Sequence, residues 1–392
     1  IVPGIFFEEL GFRYFGPFDG HDLELLVPTF KNILALKEPR VIHVVTKKGK
    51  GYPPAEKSPV RFHSAAPFTV ATGESTKQAS NKKTYTEIFS ETIVALAKKD
   101  QDIVAITAAM PDGTGLAAFR DQFPKRFFDV GIAEEHAVCF AAGLAKAGKK
   151  PVVAIYSTFL QRAYDQIMEA VALQNVPVIF ALDRAGLVSA DGPTHQGIND
   201  IVYLKSIPNF VLMAPKDVLE LKAMLELAVT LKSPVAIRYP KTAEAMQECA
   251  PAEKFVVGKS EVIREGKDVA LLAVGVMCQR AEEVAQALKQ KHIEATVINA
   301  RFIKPLDEEM IKKCAENFKK IVTLEEGIIE GGFGSSVLEK IQQLCGKQPC
   351  PQVMTLGLPT EFIEHGSRDE LSKLLGLDSA SVTKTVLSFL KT

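Results

Sequence analysis

The chain has 392 residues, with 47 Lys+Arg against 47 Asp+Glu and 47% hydrophobic residues. At ~150 residues per domain this is material for two or three domains with ample cores, and the balanced charge argues against a nucleic-acid protein built on a basic field or an acidic solvating chain. No run of ~18 uninterrupted apolar residues reads as a membrane-spanning helix.

The opening stretch, IVPGIFFEELGFRYFGPFDGHD, has no initiator Met, signal-peptide pattern or clean helix cap, and reads as beginning in mid-domain with coding sequence upstream. VIHVV at 41–45 is a strand candidate. Residues 50–83, rich in Pro, Ser, Gly and Lys, read as a long linker. A regular rhythm follows: helix 84–99, strand 102–107, helix 133–147, strand 151–156, helix 160–173, then strands 176–182 and 210–214, helix 217–231 and strand 234–239. A weaker linker at 240–258 precedes strand 268–274, helix 278–290, strand 295–300, helix 307–319, strand 320–326, helix 332–343, strand 351–356 and helix 378–391. Short β-branched runs alternating with helices of this length predict an α/β protein with buried parallel sheets. The chain divides into a partial first unit (1–80), a complete α/β domain (82–245) and a second α/β domain (256–392), without an internal repeat or coiled coil. Six cysteines, at 139, 249, 278, 314, 345 and 350, are scattered without a CxxC pair. That favours reduced thiols in a cytoplasm-like compartment over a disulfide framework or zinc site.

Four segments carry candidate chemistry. In DVGIAEEHAVCFAAGLAKAG (129–148), Glu134 and Glu135 open a helix of small residues. Acids complement a helix N-terminus, which is the plain structural explanation, but close packing of so Ala-rich a helix puts at least one Glu in a low-dielectric setting suited to proton transfer. In YSTFLQRAYDQ (156–166), Ser157 and Thr158 are placed to cap a helix, Phe159 to stack on a ring and Arg162 to grip an anion; spacing alone leaves structural and functional readings even. LDRAGLVSADGPTHQGIND (182–200) is a Gly-rich loop after a buried strand, carrying Arg184, Asp191 and His195. Open α/β sheets bind ligands at strand carboxyl ends, where this loop must lie, and Arg238 ends a strand on the same side. HVVTKKGKGYPPAE (43–56) offers Lys48 and backbone N–H groups to a phosphate, weakly, because it matches neither GxxxxGK[ST] nor GxGxxG. No HExxH, CxxC or EF-hand pattern occurs, so no metal ligands are assigned.

FGPFDGHD, TKKGKGYPPAE, VGIAEEHAV, YSTFLQRAYDQ, DRAGLVSADGPTHQG and EGGFGSSVLE, in this order, resemble the 1-deoxy-D-xylulose-5-phosphate synthase family of the transketolase superfamily. The resemblance runs the length of the chain. It implies a transketolase-like fold in which 1–80 is a remnant of a diphosphate-binding domain with its linker, 82–245 a pyrimidine-binding domain and 256–392 a transketolase-type C-terminal domain. It implies a thiamine-diphosphate- and Mg²⁺-dependent condensation of pyruvate with D-glyceraldehyde 3-phosphate, releasing CO2, in a homodimer of the bacterial cytoplasm or plastid stroma, with neither nucleic acid nor membrane as partner. By motif, Glu134 would hydrogen-bond the aminopyrimidine and favour the imino tautomer that deprotonates the thiazolium. Ile132 would lie under the bent cofactor and Phe159 would stack on its pyrimidine. Tyr156, Arg162, Arg184 and Arg238 would bind the aldehyde's phosphate, a task suited to forked guanidiniums. Asp191 and His195 would assist proton transfer beside the substrate. Lys48 and His63 would approach the diphosphate and the reacting centre.

One departure is large. The family's GDG metal motif is absent, DGH, DGT and DGP being the nearest. The chain therefore looks like the family minus most of its first domain, expected to bind thiamine diphosphate and Mg²⁺ poorly and to be inactive alone, unless a separate N-terminal fragment of the same protein completes it. A 2-oxo-acid dehydrogenase or transketolase-like subunit completed by a partner chain, and a non-catalytic assembly subunit, are the alternatives. The C-terminal domain carries no chemistry; its VTLEE and EGGFG segments and His365 fit structural roles.

Overall fold

A computed structural model describes residues 4–63, 65, 67–76, 82–188, 191–244, 255–346 and 349–392. Cys249 and much of the 240–258 linker lie outside the described residues. The chain forms two compact units, 1–80 and 81–392.

In the first unit, β1 (Arg13–Asp19) pairs in parallel with β2 (Arg40–Val45), joined by helix Leu23–Leu34, whose N-cap Asp22 accepts from the Leu25 N–H at 3.0 Å. A two-stranded sheet offers little to bury against. Among the described residues only Leu26, Ile33 and Ala55 are buried apolar residues here, whereas Ile5, Phe6, Leu23, Val27 and Leu34 are exposed. The segment read as a linker is partly ordered by its aromatics. A short helix, Pro53–Lys57, follows two Gly-bearing turns, and Tyr52, Phe62 and Phe68 meet with ring centroids 5.1–5.9 Å apart. Composition alone hides this, because Pro at a first helical turn and a three-ring cluster both look like loop in one dimension.

Among the described residues the second unit holds two large sheets and a two-stranded ribbon. β3 (Lys83–Thr84) makes a short antiparallel ribbon with β10 (Ala243–Glu244). The strands β4 (Ile103–Thr107), β5 (Phe127–Asp129), β6 (Lys150–Tyr156), β7 (Ile179–Asp183), β8 (Val211–Met213) and β9 (Val235–Arg238) are parallel, and β14 (Phe302–Lys304) adds antiparallel to β8, in the order β14-β8-β9-β7-β6-β4-β5. The five-stranded sheet runs β11-β13-β12-β15-β16, from β11 (Glu261–Arg264), β12 (Val269–Ala273), β13 (Ala295–Asn299), β15 (Lys320–Ile328) and β16 (Gln352–Leu358), with β11 alone antiparallel. Helices cover both faces of the larger sheet, so its strands are apolar at consecutive positions: Val153 and Ile155 enter one core, Val152 and Ala154 the other. The first core continues through Ala270, Leu272, Ile298 and Phe333 of the C-terminal half, and this shared apolar contact joins the two sheets.

The expected strands from 41–45 to 351–356 all form, as do the expected helices except one. Residues 160–173, read as a regular helix, instead sit in a broken run: Ser157–Leu160 α-helical, Gln161–Ala163 a 3₁₀ turn, Tyr164–Gln166 α-helical and Ile167–Ala172 π-helical. Such changes of winding rotate side chains out of the 3.6-residue register, and they concentrate at functional positions. Among the described residues no helix is long and apolar enough to cross a membrane.

Candidate active site

The chain visits β4, then β5 at one edge, then crosses to β6 on the other side of β4. The reversal opens a crevice beyond the carboxyl ends of β4 and β6, the place where open α/β sheets take ligands. Glu134 follows β5, Tyr156 ends β6, Arg184 follows β7 and Arg238 ends β9, so four strands deliver their polar residues to the same edge.

Helix Glu134–Lys146 starts from Ala133 with no side-chain cap, and its first turn carries the two acids. Asp129 fixes the approach. Its Oδ1 accepts from the Ala109 N–H at 2.8 Å and the Gly131 N–H at 3.0 Å, tying the end of β4 to the turn before the helix. Gly131 holds a φ of +74° there, and Ile132 stands 76% exposed beside it. Glu134 is buried at 2% exposure, while its neighbour Glu135 is half-exposed. Arg162 reaches back from the 3₁₀ turn, with Nη1 3.0 Å from Glu134 Oε2 and Nη2 3.6 Å from Glu135 Oε1. The pairing is coulombic only: Glu134 Oε2 is buried without an aligned hydrogen bond, and so is Ser157 Oγ. Neither Ser157 nor Thr158 caps the helix. Thr158 instead donates to the Thr194 carbonyl at 3.2 Å, pinning the helix start to the loop that carries His195.

That loop is closed by glycines. Gly186 and Gly197 exchange backbone hydrogen bonds of 2.7 and 2.9 Å, and a Cβ on Gly197 would lie 2.0 Å from the Arg184 carbonyl oxygen. Gln196 Oε1 accepts from the Val188 N–H at 2.8 Å inside the loop. His195 Nδ1 lies 2.9 Å from Thr194 Oγ1, and its ring meets Phe159 edge-on at 5.4 Å. Phe159 lies nearly parallel to Tyr156 at 5.7 Å, and the Arg184 guanidinium sits 4.0 Å from the Tyr156 ring centroid. Burial pushes the Tyr156 phenol up, against the pull of Arg184. Its hydroxyl fills the space over Gly113, where a Cβ would approach to 2.0 Å.

Asp183, which sequence reasoning did not single out, organises Arg184. The carboxylate is fully buried, accepts from the Thr86 hydroxyl at 2.6 Å and the Arg184 N–H at 2.7 Å, and pairs with Arg184 Nη1 at 2.8 Å. Burial raises its pKa, opposed by Arg184 and by these hydrogen bonds. Arg184 itself takes φ +60°, a left-handed backbone uncommon outside glycine, donates to the Gly113 carbonyl and leaves its buried Nε without a partner.

The structure thus joins Tyr156, Phe159, Arg184 and His195 in one contact network and pairs Glu134 with Arg162 on the neighbouring segments. Asp191 lies on the same loop, in a loose ion pair with Lys241 at 3.4 Å. Arg238 is held inward, donating to Asp200 at 2.9 Å, the Glu326 carbonyl at 2.9 Å and the Gly197 carbonyl at 3.4 Å, so it braces the loop from below. Lys48 and His63 belong to the first unit and are exposed. There, His21 of FGPFDGHD accepts from the Lys47 N–H at 2.8 Å and links the turns after β1 and β2. Among the described residues no three His, Cys, Asp or Glu side chains gather to hold a metal ion.

The fold and this strand-end arrangement define a transketolase-type module. Residues 81–247 match the transketolase pyrimidine binding domain, 258–382 the transketolase C-terminal domain, and 1–46 the N-terminal model of 1-deoxy-D-xylulose-5-phosphate synthase. A solved split-gene transketolase, described as an inactive beta4 tetramer, is 30% identical with a TM-score of 0.70, over 79% of this chain and 98% of that one. A Pichia stipitis transketolase shares the fold at 17% identity and a TM-score of 0.68, over 80% of this chain and 46% of its own. Two curated relatives are closer in sequence: 1-deoxy-D-xylulose-5-phosphate synthase 1 of Geobacter sulfurreducens, 50% identical over 393 residues, and the synthase of Pelotomaculum thermopropionicum, 52% identical over 388. Each alignment takes in 99% or more of this chain, and the chain spans about 61% and 60% of the two relatives' lengths. The chain belongs to the 1-deoxy-D-xylulose-5-phosphate synthase family of the transketolase superfamily.

Proposed function

We propose that this chain supplies the pyrimidine-side half of a thiamine-diphosphate site for the decarboxylative condensation of pyruvate with D-glyceraldehyde 3-phosphate, giving 1-deoxy-D-xylulose 5-phosphate and CO2. The observation that carries the reading is Glu134: a carboxylate 2% exposed at a strand-end crevice, with Oε2 lacking an aligned hydrogen bond. A buried acceptor left open costs ~1–3 kcal/mol, and a ring nitrogen's proton would complete it. The residues present therefore fit the aminopyrimidine of thiamine diphosphate, which when bound supplies the electron sink for decarboxylation.

Glu134 holds and exchanges a proton with that ring. Phe159 and Ile132 give the cofactor apolar faces, Ile132 from an exposed position at the crevice. Arg184, seated on Tyr156, and Arg162 present guanidinium charge to the aldehyde's phosphate, and Arg238 supports them through Asp200 and the 197 turn. His195 and Asp191 stand on the 186–197 loop to move protons at the substrate. Lys48 and His63 are assigned to the diphosphate and reacting-centre side. Mg²⁺ is assigned to residues outside these 392, because no GDG occurs in them. The exposed apolar side chains of the first unit support the view that further protein of the same kind covers it, and a homodimer is the proposed assembly. These 392 residues alone are then inactive.

The test is an assay of the complete protein with pyruvate and D-glyceraldehyde 3-phosphate, with the 392-residue polypeptide beside it. One sugar phosphate and one CO2 per turnover are expected, with a Glu134→Ala loss of roughly 10²–10⁴-fold in kcat. Acyl transfer to a lipoyl carrier instead, or full turnover by Glu134→Ala, overturns the reading. Tight Mg²⁺-dependent thiamine diphosphate binding by the 392 residues alone overturns the claim that they are incomplete.

A further inference from the structure

The VTLEE segment places two adjacent acids, Glu325 and Glu326, near the carboxyl end of β15, both buried. Successive strand side chains point to opposite faces, so the two acids serve different neighbours. Glu325 accepts from the Phe333 and Gly334 N–H groups at 2.8 Å each. Glu326 meets the loop that carries Asp191 and His195. Its Oε2 accepts from the Leu187 N–H at 3.3 Å, and its Oε1 pairs with Arg368 Nη2 at 2.6 Å. Arg368 Nη1 donates in turn to the Leu187 carbonyl at 3.1 Å. One loop residue thus has both backbone groups taken by a single carboxylate–guanidinium pair, a task for the fork of an arginine rather than a point charge.

The surroundings are shaped for this grip. Arg368 opens helix Arg368–Leu374, whose start is fixed by a capping box: Ser367 Oγ accepts from the Glu370 N–H at 3.2 Å, and the Glu370 carboxylate accepts from the Ser367 N–H at 3.0 Å. Gly186 takes φ +79°, and a Cβ there would collide with Glu326 Oε2, so glycine is what lets the loop come this near. The returning arm of the loop is tied to the same strand. Ile328 N–H donates to the Ile198 carbonyl at 3.2 Å, and Arg238 Nη2 donates to the Gly197 and Glu326 carbonyls at 3.4 and 2.9 Å.

We propose that Glu326 and Arg368 are positioning residues, through which the C-terminal half holds the 186–197 loop where His195 and Asp191 meet the substrate. The inference rests on the proposed function for the identity of that substrate. Glycines at 186, 192 and 197 leave the loop with little stiffness of its own, so its placement depends on what grips it from outside. Leu187 follows Arg184 by three residues and precedes Asp191 by four, so slack at Leu187 reaches the guanidinium on one side and the proton-moving groups on the other. Neither Glu326 nor Arg368 acts on substrate; each acts through the loop backbone.

The test compares the complete protein as wild type, Arg368→Ala and Arg368→Lys, by amide hydrogen exchange and by steady-state kinetics. Alanine strips a buried acid of its cation, so lysine, which keeps the charge without the fork, is the variant that retains the fold. Amides of 184–188 and 191–198 are expected to exchange about tenfold faster in Arg368→Ala, with helix Glu134–Lys146 unchanged and the lysine variant intermediate. KM for the phosphorylated aldehyde should rise about tenfold in Arg368→Ala and by less in Arg368→Lys, because a small misplacement of binding groups weakens the bound geometry. Loss of folded protein alone would lower the apparent kcat and move neither KM nor the balance of exchange between loop and helix. A wild type that makes no sugar phosphate overturns the proposed function and the positioning role with it. A wild type that does, beside an Arg368→Ala protein with unaltered loop exchange or unaltered aldehyde KM, overturns the positioning role alone. A lysine variant equal to wild type in both readouts also overturns it, since the fork would then be idle.

Discussion

The second unit contains two buried charge networks that differ in completeness. Where helix Val218–Ala228 meets β11 and β13, Glu220 Oε1 accepts from Arg301 Nε at 2.7 Å and Asn299 Nδ2 at 2.9 Å, and Oε2 accepts from the Lys216 N–H at 2.6 Å. Arg301 Nη2 reaches Glu261 at 2.9 Å. At the carboxyl ends of the larger sheet, Glu134 Oε2, Ser157 Oγ and Arg184 Nε are equally buried and have no hydrogen-bond partner. The first network closes on itself and fastens the two α/β halves together. The second is left open on one side. Three of the buried polar atoms without partners among the described residues thus lie on adjacent segments of one crevice, which is the contrast with the closed joint.

The sharpest break of the first network is Arg301→Ala. It leaves Glu220 buried with its main charge partner gone, and a loss of ~3–5 kcal/mol is expected in denaturant unfolding. A loss below ~1 kcal/mol would mean that solvent enters this joint and that the contrast between the networks is not one of burial.

A pH experiment follows in size. Glu325 of β15 accepts from the Phe333 and Gly334 N–H groups at 2.8 Å each, yet burial pushes its pKa from the ordinary 4.5 to about 7, against those hydrogen bonds, Arg238 and Lys205. The folded state then holds a proton that the unfolded chain releases between pH 4.5 and 7. Stability from this group is present below that window and declines as pH rises through it, by about 3 kcal/mol in all. Asp183 and Glu220, also raised by burial, act in the same direction, so the comparison must be with Glu325→Gln. Denaturant midpoints at pH 5 and pH 8 should separate more in the wild type than in that variant; equal separation would remove Glu325 as the cause.

How far the two networks could be read in advance differs as well. The sheets were legible because consecutive β-branched residues with both faces buried stand out in one dimension. The antiparallel β14 and the three-residue β5 were not, since their strand character comes from neighbours supplied by tertiary packing. At the site, Glu134, Arg184 and His195 were legible because charged residues on Gly-rich strand ends break the apolar pattern. Asp183 was not: it closes an apolar strand, and its importance lies in Thr86, 97 positions away. The Glu220–Arg301 joint spans 81 positions and has no local signature. The altered winding across 161–172, which sends Arg162 back to Glu134, likewise depends on packing rather than on helix propensity.

Asp183→Asn tests whether that unread residue positions the site. Asn keeps the size and one acceptor but loses the charge that pairs with Arg184 Nη1 at 2.8 Å. On the proposed function, KM of the complete protein for the phosphorylated aldehyde is expected to rise about tenfold, equivalent to ~1.4 kcal/mol, with KM for pyruvate little changed. A purely structural Asp183 would instead lower both efficiencies alike, through loss of folded protein.

The smallest expected effect is the most discriminating. Glu134→Gln keeps the shape of a side chain that is buried but holds only a coulombic contact to a half-exposed Arg162. Gln leaves the same buried polar end open and removes a charge whose partner is solvent-screened, so the stability of the variant in denaturant should match the wild type within about 0.5 kcal/mol. On the proposed function, the charge that is nearly dispensable for folding is the one on which turnover depends. If Glu134→Gln instead destabilised the chain as much as Arg301→Ala, Glu134 would be a structural acid, and its open oxygen would lose its meaning as the mark of a ligand site.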